Sequence, residues 1–272
     1  MNITRLMAAT CIASSLLALP VGLAQTAEAG APATAKAPTE QAPTEQTPAV
    51  QPEALQGLSR MGAYLRTLTT FEFHGDTIRE EAFDDGQKIQ FTGSVTYKVR
   101  RPDGLRIEVA EDRRTRQFIY DGKTLTVFSP KMGFYATVPA PATIRELLDE
   151  ASDKYDIEFP LQDLFFWGTD EDSHEDLLSG VLVGYARLAG QDADQYAFRE
   201  KGVDWQIWIA RGAKPVPLRM VIADVDDPSK PQFEVNMVWD TAPKFATDTF
   251  AFTPPANAKA IVLNTTTPAT TP

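Results

Sequence analysis

Thiol and imidazole side chains are nearly missing from this chain: one cysteine and two histidines in 272 residues. One cysteine cannot form an internal disulfide and cannot build a cysteine-rich zinc site. Two histidines, His74 and His174, leave little material for histidine-based metal or triad chemistry. Basic charge is also short, with 26 Lys+Arg against 37 Asp+Glu and a formal net charge of −11. Nucleic-acid binding needs clustered Lys and Arg against phosphates, so an acidic chain without a basic stripe excludes it. Neither common Gly-rich phosphate loop is present, and no Gly-x-Ser-x-Gly elbow, so nucleotide binding and elbow-type serine catalysis have no support.

Aromatic residues are absent from both ends. Every Phe, Tyr and Trp lies between Tyr64 and Phe252, so the core must lie inside that window. Ahead of it, residues 1–24 read as a secretory signal. Arg5 supplies the charged start, Leu6 to Leu19 the apolar stretch, and Gly22-Leu23-Ala24 the small residues before cleavage. The apolar stretch is shorter than the roughly 20 residues that span a bilayer. Cleavage is expected after Ala24, or failing that after Ala29. Cys11 lies inside the signal and too early for a lipoprotein cysteine, so the mature chain is expected to be cysteine-free and without thiol chemistry. Loss of Arg5 makes it one charge more acidic.

Residues 25–52 are almost entirely Ala, Pro, Thr, Gln and Glu and carry a local Ala-Pro-Thr-Glu-Gln repeat. Such a segment cannot bury enough apolar area to offset its ordering entropy and is expected to be a disordered linker. The stretch 257–272, ending in Thr-Thr-Thr-Pro-Ala-Thr-Thr-Pro, is expected to be a disordered tail. The single folded domain is therefore placed at 53–256.

Within it, Leu55, Leu58, Met61, Leu65 and Leu68 repeat with helical spacing, so 53–68 is expected to be a helix, with Pro52 placed just ahead of it. Strand patterns follow. Ile89, Phe91, Gly93, Val95, Tyr97 and Val99 alternate with polar residues over 88–100, giving a long strand with one apolar face. Further strands are expected at 70–74, 105–109, 115–120, 124–128, 134–138, 181–188, 195–199, 205–209, 218–224 and 233–240. Turn sequences Asp85-Gly86, Asp103-Gly104 and Asp121-Gly122 separate several of them. Residues 142–154 and 160–168 are helical in pattern, the second ending at Gly168. The fold expected is α+β: a large curved antiparallel sheet of about 10–11 strands, an unclosed half-barrel, wrapped over a few helices.

Particular residues carry a family resemblance. Tyr97-Lys98-Val99-Arg100-Arg101-Pro102-Asp103-Gly104-Leu105-Arg106 is followed by Tyr120-Asp121-Gly122-Lys123-Thr124-Leu125. Phe128-Ser129-Pro130, Tyr135, Pro141 and Pro160-Leu161-Gln162-Asp163-Leu164 then follow. In that order they resemble a family of uncharacterised predicted periplasmic proteins of Gram-negative bacteria. That family is similar in architecture to the outer-membrane lipoprotein carriers and receptors LolA and LolB. The resemblance implies a periplasmic protein and an open barrel with helices as a lid over a hydrophobic cavity that takes acyl chains. The Arg-Pro and Asp-Gly motifs themselves read as turns, so no functional residue is carried over.

Site residues are sparse. Thr169-Asp170-Glu171-Asp172-Ser173-His174-Glu175-Asp176 reads most simply as an acidic helix start. As a calcium loop it lacks the glycine at the sixth EF-hand position. Asp224-Val225-Asp226-Asp227-Pro228 reads as a solvated turn. Arg113-Arg114-Thr115-Arg116 is the one basic cluster and reads as a charge-balanced hairpin tip, or else as a contact for an anionic lipid head group or a partner. No catalytic set, metal site or cofactor emerges. What remains is the apolar sheet face: Phe91, Val95, Tyr97, Ile107, Val109, Phe118, Tyr120, Trp205, Ile207, Met220, Phe233, Val235, Met237 and Trp239 are expected to point the same way and to line a hydrophobic cavity. The functional expectation is a non-enzymatic periplasmic protein binding a lipid or lipoprotein acyl chain. The alternative is a module with a filled core that contacts an envelope protein partner.

Overall fold

The computed structural model describes residues 50–83, 85–112, 114–169 and 174–265. The signal with Cys11, the linker up to residue 49, Asp84, Arg113, 170–173 and 266–272 lie outside the described residues. Helix α1 spans Pro52–Thr67, with Pro at its first turn where a missing N–H costs nothing. It buries Ala54, Gly57, Leu58, Met61, Gly62 and Leu65. The buried stripe thus contains two glycines that a count of apolar residues passes over.

Six strands then run as a meander: β1 Thr70–Ala82, β2 Lys88–Arg100, β3 Gly104–Glu111, β4 Thr115–Tyr120, β5 Thr124–Ser129 and β6 Phe134–Pro139. Helix α2, Ile144–Tyr155, and a short 3-10 helix, Gln162–Phe165, follow. A second meander comprises β7 Ser179–Leu188, β8 Gln191–Glu200, β9 Val203–Ala210, β10 Pro217–Asp224 and β11 Gln232–Asp240. The two-residue β12, Lys259–Ala260, pairs in parallel with Phe134 and Tyr135 of β6, which corrects the expectation of disorder for the start of the tail.

The order across the sheet is β12-β6-β5-β4-β3-β2-β1-β11-β10-β9-β8-β7. Every neighbouring pair except β12–β6 is antiparallel. The two meanders meet where β1 pairs with β11, and the sheet is curved and does not close. The chain must therefore travel from β6, near one edge, to β7, at the other. Residues 140–178 make that journey, and this places α2 and the 3-10 helix over one face of the sheet.

β1 continues eight residues beyond the predicted stop at His74. Its later residues, Gly75 to Ala82, weaken the alternation, but both neighbours hold them: β2 along the whole length and β11 as far as Arg79. The residues after His174 correct the reading of an acidic helix start. His174–Leu178 form turns rather than a helix, and the Leu178 N–H donates to the Arg199 carbonyl at 2.8 Å, which commits the chain to β7.

The outer face carries polar pairs over much of its width, while toward β4–β6 it holds the buried Ile119 and Phe128, with Phe252 packed 5.3 Å from Phe128 and 5.2 Å from Tyr135. His74 hydrogen-bonds Thr96 at 3.0 Å, Arg219 pairs with Glu234 at 2.8 Å, and Arg199 pairs with Asp204 at 2.6 Å. The inner face and the helices share one core.

Candidate functional site

The strand registers fix which side chains share the inner face. Trp239, Phe73, Tyr97, Ile107, Phe118 and Val127 form one row across six strands. Tyr196, Ile207, Met220, Val235, Thr77, Gly93 and Glu111 form a second. Phe198, Trp205, Ile222, Phe233, Arg79 and Phe91 form a third. All fourteen residues expected to face one way do so. They divide into two environments.

Ten of them are covered. Val95, Tyr97, Ile107, Phe118, Tyr120, Trp205, Ile207, Met220, Val235 and Met237 are each at most 5% exposed. Aromatic packing fills the space above many of them. Phe73 stacks on Tyr97 at 4.8 Å and meets Trp239 at 4.7 Å. Phe165, from the 3-10 helix, lies 6.0 Å from Tyr97 and 6.1 Å from Phe71. Phe159 meets Phe118 edge-on at 5.0 Å. Such offset and edge-on pairs add about 0.5–1.5 kcal/mol each beyond area burial.

The polar ends of these rings fasten the crossing segment to the sheet. The Tyr97 hydroxyl donates to the Pro160 carbonyl, and the Tyr120 hydroxyl donates to the Pro141 carbonyl at 2.6 Å. Burial, with the charge of Asp163 adding, pushes the Tyr97 pKa well above its ordinary value. Burial, with Asp103, Glu146 and Asp121 adding, pushes Tyr120 up to about 12. Both therefore remain neutral donors at physiological pH. The Trp205 indole N–H donates to buried Glu200 at 3.0 Å. Burial pushes the Glu200 carboxyl up, while the indole hydrogen bond opposes the shift.

At the opposite end of β1 and β2 the inner face is open. A cleft of about 110 Å³ is lined by Thr77, Arg79, Glu81, Phe91, Thr92, Glu111, Asp112, Arg114 and Phe233. Two of the fourteen residues, Phe91 and Phe233, line it; Val109 and Trp239 are half-buried. Arg79 pairs with Glu81 and lies 5.4 Å over the Phe91 ring. Arg114 pairs with Glu111 at 3.0 Å. Lys131 reaches the Glu111 and Asp112 carbonyls at 3.4 and 3.2 Å. An apolar floor thus meets a rim of paired charges. The hairpin-tip reading of the basic cluster holds for Arg114, whose partner is the nearby Glu111. Alternation alone does not place it beside Phe91, which lies on β2, 23 residues earlier in the chain.

Among the described residues, no cluster of three His, Cys, Asp or Glu side chains could hold a metal ion. His74 engages Thr96 and, at 3.3 Å, Asp76 on the outer face. Asp224 accepts the backbone N–H groups of Asp226 and Asp227, as a turn residue does. No helix among the described residues is long and apolar enough to cross a membrane.

The model of a family described as predicted periplasmic protein (DUF2092) matches residues 54–264. The chain belongs to that family. No curated protein matches the sequence. Among solved structures, this DUF2092 chain is similar to a conserved protein of Thermus thermophilus. The identity is 14%, the TM-score 0.42, and the match covers 77% of this chain and 99% of that one. It is similar to the Mycobacterium tuberculosis lipoprotein LppX at 11% identity and TM-score 0.42, covering 72% and 98%. It is similar to a LolA superfamily protein of Nitrosomonas europaea at 10% identity and TM-score 0.31, covering 73% and 97%.

Proposed function

We propose that this DUF2092 protein is a non-enzymatic binding protein of the periplasm, released there by cleavage after Ala24 or Ala29. Its inner sheet face takes a hydrophobic ligand, a lipid or a lipoprotein acyl chain. The observation that carries this reading is the cleft at the uncovered end of the inner face, where Phe91 and Phe233 form the floor and Arg79, Glu81, Glu111 and Arg114 the rim. Apolar walls with a few convergent polar groups are the usual character of a ligand site. The cleft of about 110 Å³ is smaller than the roughly 300–1,000 Å³ of pockets that enclose a whole ligand. A chain entering between Phe91 and Phe233 gains further room only by displacing rings such as Phe159 and Phe165 from the sheet. The crossing segment then acts as the lid.

The test starts with the mature protein purified from its native envelope and extracted for lipid by mass spectrometry. A fluorescent fatty-acid analogue is then titrated into the stripped protein. The expected outcome is a co-purified lipid, saturable uptake of the analogue with a change in tryptophan emission, and at least tenfold weaker uptake in Phe233→Glu. Absence of both lipid and uptake overturns the reading.

A second reading has its own observation. Ten of the fourteen inner-face residues are already packed, while the edge strand β7 exposes Val181, Leu182, Val183 and Tyr185. On this reading the protein is an interaction module of the envelope with a filled core. Crosslinking in the periplasm that traps one stoichiometric protein at β7, with no lipid in the extract, selects it.

A further inference from the structure

Away from the open cleft, the far end of β2 holds a charge that the fold does not neutralise. Arg101 follows the last residue of β2, and its backbone N–H donates to the Thr69 carbonyl at 2.8 Å. Its Nε is buried and makes no hydrogen bond. No carboxylate of the described residues pairs with its guanidinium. The neighbouring acids are engaged elsewhere: Asp103 with Arg100 at 3.1 Å, Glu146 with the Thr143 hydroxyl at 2.8 Å, and Asp149 with Arg145 at 3.4 Å. Two rings flank Arg101, Phe71 at 5.8 Å and Phe165 at 5.6 Å from the guanidinium carbon. Both distances are near the limit of about 6 Å for a useful cation–π contact. The residue as a whole is half-buried, but a buried donor such as this Nε is costly to leave without a hydrogen bond. Burial accordingly pushes the Arg101 pKa down from its ordinary value.

Arg101 borders a cavity of about 130 Å³, lined also by Pro102, Thr143, Ile144, Arg145 and Phe165. We infer that this cavity is a binding site for a single anionic group, a carboxylate or a phosphate, with Arg101 as the residue that receives it. The planar fork of a guanidinium matches both groups in bidentate geometry. The first turn of α2 begins at this cavity, with Thr143 as its cap, and its positive dipole end favours an anion at the same place. Pro102, Ile144 and Phe165 give the remaining wall apolar character, suited to the first carbons attached to the charged group. The size admits the group itself and not a whole lipid. The site is separate from the cleft between Phe91 and Phe233, and it stands or falls without it.

The test titrates inorganic phosphate, and separately acetate, into the full-length mature chain at constant ionic strength while following thermal unfolding. A saturable rise in Tm is expected, and it should disappear in Arg101→Gln. A rise that does not saturate, or that Arg101→Gln retains, overturns the site. Arginine footprinting with phenylglyoxal reads the same point on the unaltered chain. Phosphate should slow modification of Arg101 at least fivefold, and equal modification with and without phosphate overturns the proposal. Flotation with phosphatidylglycerol vesicles against phosphatidylcholine vesicles then identifies the source. Flotation with the anionic vesicles alone, lost in Arg101→Gln, assigns the anion to a lipid head group. Saturable phosphate binding without flotation assigns it to a soluble anion.

Discussion

Two buried polar side chains show how single residues tie the inner face together. Tyr97 is fully buried, and its hydroxyl donates to the Pro160 carbonyl in the crossing segment. Tyr97→Phe keeps the ring contacts with Phe73 and Phe165 but leaves that carbonyl without its donor. An unsatisfied buried acceptor costs about 1–3 kcal/mol. A loss of that size is expected in urea unfolding, and uptake of a fatty-acid analogue should rise as the segment loosens. Unchanged stability would show that Pro160 finds water instead. Glu200 behaves differently, because burial raises its pKa above the ordinary carboxylate value. The folded state then binds more protons than the unfolded state between the ordinary value and the raised one. Stability contributed by this group is therefore lost as pH rises through that window. Glu200→Gln keeps an oxygen that accepts from the Trp205 indole and removes the titration. The variant should melt higher than the parent at pH 7, and the difference should vanish as pH falls below the ordinary carboxylate range. Thermal unfolding at several pH values checks the sign.

At the scale of elements, close approach matters more than apolar content. Gly62 of α1 meets the turn at Gly168 so closely that a Cβ on Gly62 would lie 2.7 Å from the Gly168 nitrogen. Gly168 itself has a φ of +73°, a conformation that only glycine adopts without strain. Gly62→Ala forces backbone apart rather than a flexible side chain and should cost about 1–3 kcal/mol, the usual penalty of overpacking. Equilibrium denaturation reads it directly, and a neutral result would mean that the turn at Gly168 yields freely. Period-2 and period-3.6 patterns made much of this architecture legible. β2 and β4 fall on their expected residues, and α2 buries the same Ile144, Leu147, Leu148 and Ala151 that its spacing selects. The glycine contact was not legible, since it joins a helix to a turn more than 100 residues away. For the same reason the shared inner face of the fourteen site residues followed from alternation, but its division did not. Whether a sheet residue lines a cleft or a core depends on which rings of 159–167 settle on it. Arg101 was not legible as a site, because an Arg-Pro pair before Asp-Gly reads as a turn and only packing shows its Nε buried without a partner.

On the whole-molecule scale, an open sheet has two edges to manage. β12 covers part of one, with the Lys259 and Ile261 N–H groups donating to the Gly133 and Tyr135 carbonyls, each at 2.8 Å. The other edge is β7, and among the described residues only its start is covered. Val50 bridges Gly180 in parallel, the Gln51 N–H donates to the Gly180 carbonyl at 2.8 Å, and the Gln51 side chain accepts from the Leu182 N–H at 3.2 Å. Beyond that point β7 carries a bulge between Leu182 and Gly184, which leaves Val183 without a partner on β8. Val183 is 53% exposed beside Tyr185 at 58%. Bulges and charged residues are two ways in which natural edges avoid pairing with other chains. This edge has the bulge, but its one charged residue, Arg187, sits near its far end. The net charge of −11 keeps copies apart at low salt, and that repulsion is screened beyond about 10 Å at 0.1 M ionic strength. Self-association through β7 should therefore appear as salt rises. Val183→Lys adds a charge at an unpaired, exposed position and removes no core contact, so its Tm should stay within about 0.5 kcal/mol equivalent of the parent. Light scattering at increasing salt should show slower association for the variant. Equal association in both proteins would mean that β7 is not the adhesive edge.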